Sequence, residues 1–306
     1  MKWNKLECLL ARFDKLASDH GETKIGVSKD LAEEWSKPFP QESERSRHGR
    51  ISILRGFSSF LQLKGYTSYI PSMPRKQQVF VPHIYTSAEI SAIFRECDKL
   101  TLRIHFTDSC RCVMPCLIRV LYSTGIRISE ALKLTHADVD LTKGILVLRE
   151  CKNGQDRIVP MSLSLQGICK DWVVYKQKQN LATTGDAPFF TAGDGHSPRY
   201  PTILHNFRAI LLRAGIAHGG RGKGPRLHDL RHTFCVNSLA KLAEAGLDVY
   251  YIMPILMAYM GHKSMEMTNY YVRLTQEKFP QILLKMDEAY KSLFPKIGTI
   301  LEDECL

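Results

Sequence analysis

Apolar residues recur every three or four positions over much of the chain, which is the spacing that amphipathic helices show. The spacing predicts a first helix over residues 2–20, with apolar positions at Trp3, Leu6, Leu9, Leu10, Phe13 and Leu16. A second helix is predicted over 28–36, where Ser28 can serve as the N-cap. A third is predicted over 43–65, and its apolar face consists of Ile51, Leu54, Phe57 or Ser58, and Leu61.

Prolines interrupt this pattern after the third helix. Three of them lie within residues 66–85, which predicts a linker there. The next helix is predicted over 86–100, where a Thr-Ser pair can supply the N-cap and a glutamate lies in the first turn. We therefore expect a small helical domain over 1–80 and a larger domain over 81–306.

The larger region mixes helices with one short stretch of β type. Helices are predicted over 111–123, 127–135, 202–214, 228–244, 248–260 and 280–294. Between them, Ile145–Leu148 is predicted to pair with 157–159 around a turn at Asn153-Gly154, which places Lys152 at the hairpin tip. The expected fold class is therefore mostly α with a small β-sheet, in two domains.

Composition excludes several other classes of protein. The 306 residues are 44% apolar, which is enough for a core, yet no run of eighteen apolar residues is present. Charges near the N-terminus do not fit a secretion signal, so a cytoplasmic protein without a membrane partner is expected. Cys110, Cys112 and Cys116 are close together but lack a fourth ligand, so reduced thiols are favoured over a metal site.

The net charge of +11 indicates a polyanionic partner, of which nucleic acid is the commonest. Basic side chains that could face phosphates occur in the third helix, in the linker and in the glycine-rich loop HGGRGKGPR. They are Arg45, Arg47, Arg50, Arg55, Arg75, Lys76, Arg221 and Lys223. A solvated surface or connector would show the same pattern, so sequence alone leaves both interpretations open.

Four short stretches carry candidate chemistry, and each is weak alone. Arg127 follows a Thr-Gly break near a helix start, although an ion pair with Glu130 would also explain it. In LHDLRH, His228 and Arg231 are three residues apart and share a helix face. A Gly-His pair ending at His262 precedes two adjacent tyrosines. Their joint occurrence in this order is more specific than any one of them.

Phosphoryl transfer on a diester is the chemistry that needs this set of residues. Guanidinium and imidazole groups stabilise the charge that develops on the non-bridging oxygens in the transition state. A phenol has a pKa of about 10, so as a nucleophile it needs a proton acceptor such as histidine. A lysine ammonium can protonate the leaving oxygen.

The stretches TGIRISEALKL, LHDLRHTF and GHKSMEMTNYYV resemble the conserved boxes of tyrosine recombinases of the phage integrase family. The resemblance covers roughly residues 85–275, whereas the N-terminal part matches the family's core-binding domain only in size, position and charge. It implies that Arg127 and Arg231 bind the scissile phosphate, that Glu130 supports them, and that His262 donates a hydrogen bond to the phosphate.

The remaining roles also follow from the resemblance. Lys152 would protonate the leaving 5′ oxygen and His228 would act as general acid and base. Tyr271 would be the nucleophile, because it lies nine residues beyond His262 as the family pattern requires, while Tyr270 packs. The implied cycle runs through a 3′-phosphotyrosyl link, with no ATP, metal or other cofactor, and no phosphate-binding GxxxxGK[ST] loop is present in the sequence.

The implied partner is double-stranded DNA, bound by a homotetramer that is a monomer or dimer when free; the family also allows an accessory DNA-bending protein. An apolar stripe predicted on the helix over 280–294 would exchange between protomers. The long segment between Arg231 and Gly261 resembles transposon-borne recombinases and favours integration or excision of a mobile element, in the cytoplasm with the nucleoid. Two alternatives stay open: a catalytically silent DNA-binding regulator on the same scaffold, and a topoisomerase-like enzyme of type IB.

Overall fold

The computed structural model describes residues 2–74, 81–101, 110–149, 156–219, 224–247 and 249–261, together with Tyr271 and Thr275. The chain divides into two compact units, Met1–Val81 and Pro82–Leu306. Helices dominate both units, and a small antiparallel sheet lies in the second. The predicted fold class is confirmed. No described helix is long and apolar enough to cross a membrane.

The first unit contains α1 (Lys2–Asp19), α2 (Lys29–Ser36) and α3 (Glu44–Leu63), close to the predicted bounds. Ser28 and Ser43 cap α2 and α3, because each hydroxyl accepts a hydrogen bond from the backbone N–H three residues later. The predicted apolar face of α3 is confirmed, since the buried residues of this helix include Ile51, Leu54, Ser58 and Leu61.

The arginines of α3 do not form one exposed basic surface. Arg50 is only 3% exposed and its guanidinium lies 3.7 Å from the ring centre of Phe39. Its Nε and Nη2 atoms donate to the Glu42 carboxylate at 2.9 and 2.6 Å. The prediction that Arg50 faces DNA is therefore corrected: it is a buried cation, and Glu42 and the aromatic ring satisfy it.

The other three arginines of α3 differ in exposure. The Nε atom of Arg47 donates to the carbonyl of Ser36 at 2.8 Å, and Arg55 donates to the carbonyl of Pro71. Both side chains therefore brace the first unit. Arg45 is exposed.

The second unit begins with α4 (Ser87–Thr101), where Thr86 and Glu89 exchange hydrogen bonds as a capping box. The helices that follow are α5 (Met114–Thr124), α6 (Ile128–Ala131), α7 (Leu163–Lys178), α8 (Tyr200–Arg213), α9 (Asp229–Glu244) and α10 (Val249–Met260). The helix expected over 127–135 ends early, because Thr135 and Asp138 form a second capping box that starts a 3-10 turn.

Helix α7 is not among the sequence-based predictions. Its buried residues are Leu165, Cys169, Trp172 and Lys176, which are spaced as an amphipathic helix requires. A lysine therefore occupies one position of the buried stripe, and this hides the apolar pattern in the sequence. The Lys176 ammonium is satisfied by the carbonyl of Pro188 at 2.8 Å and by Nε2 of His136 at 2.7 Å.

The sheet has the order β1-β2-β3, with β1 (Val139–Asp140), β2 (Ile145–Leu148) and β3 (Arg157–Pro160) all antiparallel. The predicted hairpin is confirmed in its strands, whose register pairs Leu148 with Arg157. Strand β1 was not predicted, because two residues cannot show an alternating pattern. The predicted turn and Lys152 lie outside the described residues.

Helix α5 lies in the middle of the larger core and packs against α4, α7, α8 and α9. A second cluster joins α9 to α10 and includes Tyr271. This packing brings the C-terminal ends of α5 and α10 to the same part of the molecule. The helix predicted over 280–294 lies outside the described residues.

Candidate active site

Arg127 lies at the start of α6, where it precedes the first helical residue. Its Nη1 atom donates to Oε1 of Glu130 at 2.7 Å, and its backbone N–H donates to Oε2 at 2.7 Å. Its Nη2 atom donates to the carbonyl of Gly261 at 3.1 Å. The ion pair considered from the sequence is thus present, but Arg127 also reaches the residue that follows α10.

Arg231 joins the ends of two helices from within α9. It is 3% exposed, and its Nη1 atom donates to the carbonyl of Gly125 at 2.7 Å. Its Nη2 atom donates to the carbonyl of Met260 at 2.6 Å. Carbonyls at a helix C-terminus lack intrahelical donors and carry partial negative charge, so they are suitable partners for a buried guanidinium.

Two glycines shape the turns that present these carbonyls. Gly125 ends α5 with φ +63° and Gly261 ends α10 with φ +62°, both in the left-handed region. A Cβ atom at Gly125 would lie 2.4 Å from Cδ1 of Phe234, so this position also requires glycine for close packing of α5 against α9. The left-handed φ of Gly261, directly after the last residue of α10, is typical of a helix C-cap.

His228 precedes the first residue of α9, so it lies one helical turn from Arg231. The residue retains exposed surface, but loss of solvent around the ring and the positive charges of Arg231, Arg226 and Arg127 lower the pKa of His228 to about 4. The imidazole is therefore neutral at physiological pH. Asp229 fixes this helix start, because its carboxylate accepts from the backbone N–H of Arg226 at 2.9 Å.

Tyr271 is 4% exposed and belongs to the cluster between α9 and α10. Its hydroxyl contacts the side chains of Cys235 and Arg231. Burial and the neighbouring Cys235 raise the pKa of Tyr271 above the usual value of a phenol, while Arg231 acts in the opposite direction. The ring lies 5.5 Å from that of His232, which is 5.0 Å from that of His228.

The structure thus brings together Arg127, Glu130, His228, Arg231 and Tyr271 from three parts of the chain. Several other candidates lie outside the described residues: Lys152, His262, Tyr270, Arg75, Lys76, Arg221 and Lys223. In the part of the chain that the structure describes, no group of three or more His, Cys, Asp or Glu could hold a metal ion.

Positive charge exceeds negative charge among the described groups of this site. Arg127 and Arg157 both bind Glu130, and the coulombic effect of Arg127 adds to burial in lowering the pKa of Arg231. Burial and repulsion between neighbouring guanidiniums both disfavour the charged form, so an anion placed between the guanidiniums would relieve the repulsion. A phosphodiester has the required charge and bidentate geometry.

Sequence reasoning missed two residues of the site. Arg157 donates to Glu130 from β3, and no local pattern connects residues so far apart in the chain. Cys235 lies one helical turn after Arg231, and this spacing could have placed it beside the guanidinium.

Comparison with known proteins decides the family. The profile described as the phage integrase family matches residues 84–278, which is more than half of the chain. The chain belongs to the phage integrase family. It is therefore a tyrosine recombinase, an enzyme that breaks and rejoins DNA strands, and the resemblance found in the motifs is confirmed.

Relatives of this recombinase match it over most of its length. A protein named as an integrase/recombinase in Sinorhizobium fredii is 26% identical over 270 residues, covering 87% of this chain and 85% of the relative. The tyrosine recombinase XerC of Chlamydia trachomatis is 28% identical over 247 residues, covering 78% and 70%.

A solved structure shows the same fold. The Tn1549 transposon integrase in complex with transposon right end DNA has a TM-score of 0.59 and 18% identity to this chain. The match covers 90% of this chain and 93% of the integrase fragment in that structure.

Proposed function

We propose that Tyr271 is the nucleophile of this recombinase and that Arg127 and Arg231 bind the scissile phosphate of double-stranded DNA. The observation that carries the proposal is the contact between the Tyr271 hydroxyl and the Arg231 guanidinium. Arg231 donates to the carbonyl of Met260, and Arg127 donates to the next carbonyl along the chain. A phosphate bound by both guanidiniums would lie next to the phenol.

In the first step of the proposed reaction, the Tyr271 oxygen attacks phosphorus and its proton passes to His228. The bond from phosphorus to the 5′ oxygen breaks, and Lys152 supplies the proton for that oxygen while His262 donates a hydrogen bond to the phosphate. The products are a 3′-phosphotyrosyl ester and a free 5′-hydroxyl. A 5′-hydroxyl of a partner duplex then attacks the ester and releases the phenol. The proposed reaction therefore consumes no ATP and uses no metal ion.

Before attack, the two residues have the protonation states that this division of roles requires. Burial raises the pKa of Tyr271, so the phenol keeps its proton until a base accepts it. His228, with its pKa lowered to about 4, is neutral at physiological pH and can accept that proton. A base that was already protonated could not do so.

We also propose that the protein assembles into a tetramer on DNA and is a monomer or dimer when DNA is absent. Helix α10 has no charged residue and exposes Tyr251 and Ile255, which are 83% and 69% accessible and lie on one face. Exposed apolar surface of this kind is typical of protein contacts. The apolar stripe of the sequence over 280–294 could cover such a face on a neighbouring protomer.

We propose the biological role from the structural comparison and from the length of the α9–α10 region. Similarity to a transposon integrase and the long α9–α10 region favour a role in moving a mobile element. Such an enzyme would work on chromosomal DNA, in the cytoplasm with the nucleoid, and an accessory DNA-bending protein could assist it. Arg45 is an exposed candidate for a phosphate contact in the first unit, and Arg75, Lys76, Arg221 and Lys223 are further candidates by charge.

Two other functions make different predictions. A silent regulator would bind DNA without a covalent product, although the site has retained a phenol in contact with a guanidinium. A topoisomerase-like enzyme would relax supercoiled DNA without bringing two sites together. Recombinant joints between two labelled duplexes would exclude both.

The test uses a set of nicked duplexes that together cover the DNA flanking the gene of this chain. When cleavage occurs next to a nick, the short fragment that carries the 5′-hydroxyl dissociates. The strand then cannot be resealed, so the covalent adduct accumulates. Tyr271→Phe is expected to abolish the covalent protein–DNA adduct, while Tyr270→Phe, the matched control, keeps it. Gel separation under denaturing conditions measures both. An adduct that persists in Tyr271→Phe and disappears in Tyr270→Phe would overturn the assignment.

A further inference from the structure

Arg157 lies in the candidate active site, but the family motifs assign no role to it. It is the first residue of β3 and pairs with Leu148 of β2, so it lies at the base of the hairpin that contains Lys152. Its side chain is 12% exposed. A buried cation at this position needs an explanation, because desolvation disfavours it unless its partners compensate.

The partner of Arg157 is Glu130, which Arg157 binds with both ends of its guanidinium fork. Nη2 donates to Oε2 at 2.8 Å and Nη1 donates to Oε1 at 3.2 Å. The same two oxygens accept from the side chain and the backbone of Arg127 at 2.7 Å each. The Glu130 carboxylate, 8% exposed, therefore has four donors and is held in one orientation.

Arg157 also lies against the turn at the end of α10. A Cβ atom added at Gly261 would be 3.0 Å from its Nη1 atom, and 3.8 Å from Nη1 of Arg127. The carbonyl of this glycine accepts from Arg127. The Arg157 side chain thus links three parts of the site, which are the base of the hairpin, α6 and Gly261.

Charge gives a reason for this arrangement. A single Glu130 carboxylate would neutralise Arg127, the residue proposed to bind phosphate. With Arg157 on the other side, the three groups together carry one positive charge, and Arg127 is oriented without losing its attraction for an anion. Lysine cannot reproduce this contact, because it lacks the planar fork.

We propose that Arg157 is a positioning residue for DNA cleavage, which holds and neutralises Glu130 so that Arg127 meets the scissile phosphate in the correct orientation. This inference rests on the proposed function and adds a residue to that site. Arg157 acts through Glu130 and the Gly261 turn, so its loss affects the cleavage step more than DNA binding.

The experiment compares Arg157→Lys and Arg157→Met with wild-type protein on a nicked duplex that forms the adduct. We expect the single-turnover cleavage rate at saturating DNA to fall about 10- to 100-fold, because small misplacement of a phosphate ligand has effects of this order. The dissociation constant for the duplex is expected to change by about twofold or less. Urea unfolding at the assay temperature checks that the variants are folded.

The matched control is Arg149, which follows β2 and donates through Nε to Oδ1 of Asp138 at 2.6 Å. This pair also joins a residue of the hairpin to a buried carboxylate, but the carboxylate is that of Asp138 and not of Glu130, the partner of Arg127. Arg149→Lys and Arg149→Met should cleave at the wild-type rate. Equal cleavage by Arg157→Lys and wild type would overturn the role of Arg157, as would equal losses in the Arg149 and Arg157 variants.

A double variant separates positioning from folding. Adding Glu130→Gln to Arg157→Met removes the carboxylate that would otherwise neutralise Arg127, so cleavage should recover several-fold over Arg157→Met alone. No recovery in a folded double variant would overturn the charge argument. If wild-type protein forms no adduct on any duplex, the proposed function fails as well, whereas a wild-type adduct with an unchanged Arg157→Lys rate overturns only this inference.

Discussion

At the scale of single residues, the arginines of this site form hydrogen bonds to other parts of the protein. Arg231 uses both Nη atoms on carbonyls that end α5 and α10, and Arg127 divides its fork between Glu130 and Gly261. Backbone carbonyls therefore fix the orientation of Arg231 and, together with Glu130, that of Arg127.

His228 gives a prediction about pH. Its pKa of about 4 is low because solvent is lost around the ring and three arginines lie nearby. A bound phosphate is negative, so it stabilises the imidazolium and raises this pKa towards the usual value of about 6.5. DNA binding at about pH 5.5 should therefore take up protons, because the free imidazole is neutral there and the bound one is largely protonated.

Calorimetry in buffers of different ionisation enthalpy measures this proton uptake. His228→Gln should reduce the uptake by up to about one proton per chain, while His205→Gln, which alters an exposed histidine of α8, should leave it unchanged. Equal uptake by wild type and His228→Gln would show that this histidine does not face the phosphate.

At the scale of elements, the C-terminus of α10 organises the site. Its last carbonyl and that of the following glycine accept from the two proposed phosphate-binding arginines, and the same glycine lies against Arg157. The left-handed conformation of Gly261 allows the chain to turn directly after these contacts.

Gly261→Ala is predicted to damage cleavage beyond its effect on stability. The left-handed backbone costs alanine about 1 kcal/mol, and the new Cβ meets the Arg157 guanidinium at 3.0 Å. We expect a cleavage rate about 10- to 100-fold lower. The control is Gly246→Ala after α9, with φ +79° and nothing within 4 Å of its Cβ, which should lose similar stability and keep its cleavage rate.

Unfolding in urea and single-turnover cleavage of the nicked duplex measure the two effects separately. Similar cleavage rates for the two alanine variants would mean that the turn at Gly261 does not position the site.

Local patterns in the sequence predicted much of this architecture. Caps such as Ser28 and the apolar face of α3 are local features, and so is the helical spacing of His228 and Arg231. The resemblance to a known family selected Tyr271, which periodicity could not do. The pairing of Arg157 with Glu130 joins residues 27 apart, and no local rule predicts it.

The errors have the same physical origin. Arg50 resembles a surface arginine in sequence, but Glu42 and Phe39 fold back to bury it. Helix α7 escaped prediction because Lys176 occupies an apolar position. Tertiary partners make both placements stable, and those partners are invisible in a local window.

At the scale of the whole molecule, the larger unit contains a buried cation far from the proposed chemistry. Lys176 is fully buried and donates to His136 and to the carbonyl of Pro188, which ties α7 to the loop before α8. Burial lowers the pKa of Lys176 to about 8, and burial together with this ammonium lowers the pKa of His136 to about 4.

Lys176 should therefore make a contribution to the stability of the chain that rises with pH in the alkaline range. Between the folded pKa of about 8 and the unfolded pKa of 10.5, the unfolded chain binds the proton and the folded chain does not. The contribution to the free energy of unfolding is about 2–3 kcal/mol between roughly pH 7 and pH 10. Because burial raises the pKa values of the Cys97 and Cys235 thiols, which act in the opposite direction, the measured quantity is a difference. In urea unfolding, the stability of wild type relative to Lys176→Met should rise across this range, while its stability relative to the exposed control Lys178→Met should stay constant.

The central claim is that a cluster of arginines built on the end of α10 enables one phenol to break a DNA strand. The most direct measurement is mass spectrometry of the covalent adduct, formed on the nicked duplex in the presence of EDTA and then digested with nuclease and protease. We predict a nucleotide joined through its 3′ phosphate to the peptide that contains Tyr271. A nucleotide on Tyr270 or on any other residue, or bound duplex that never becomes attached, would contradict it.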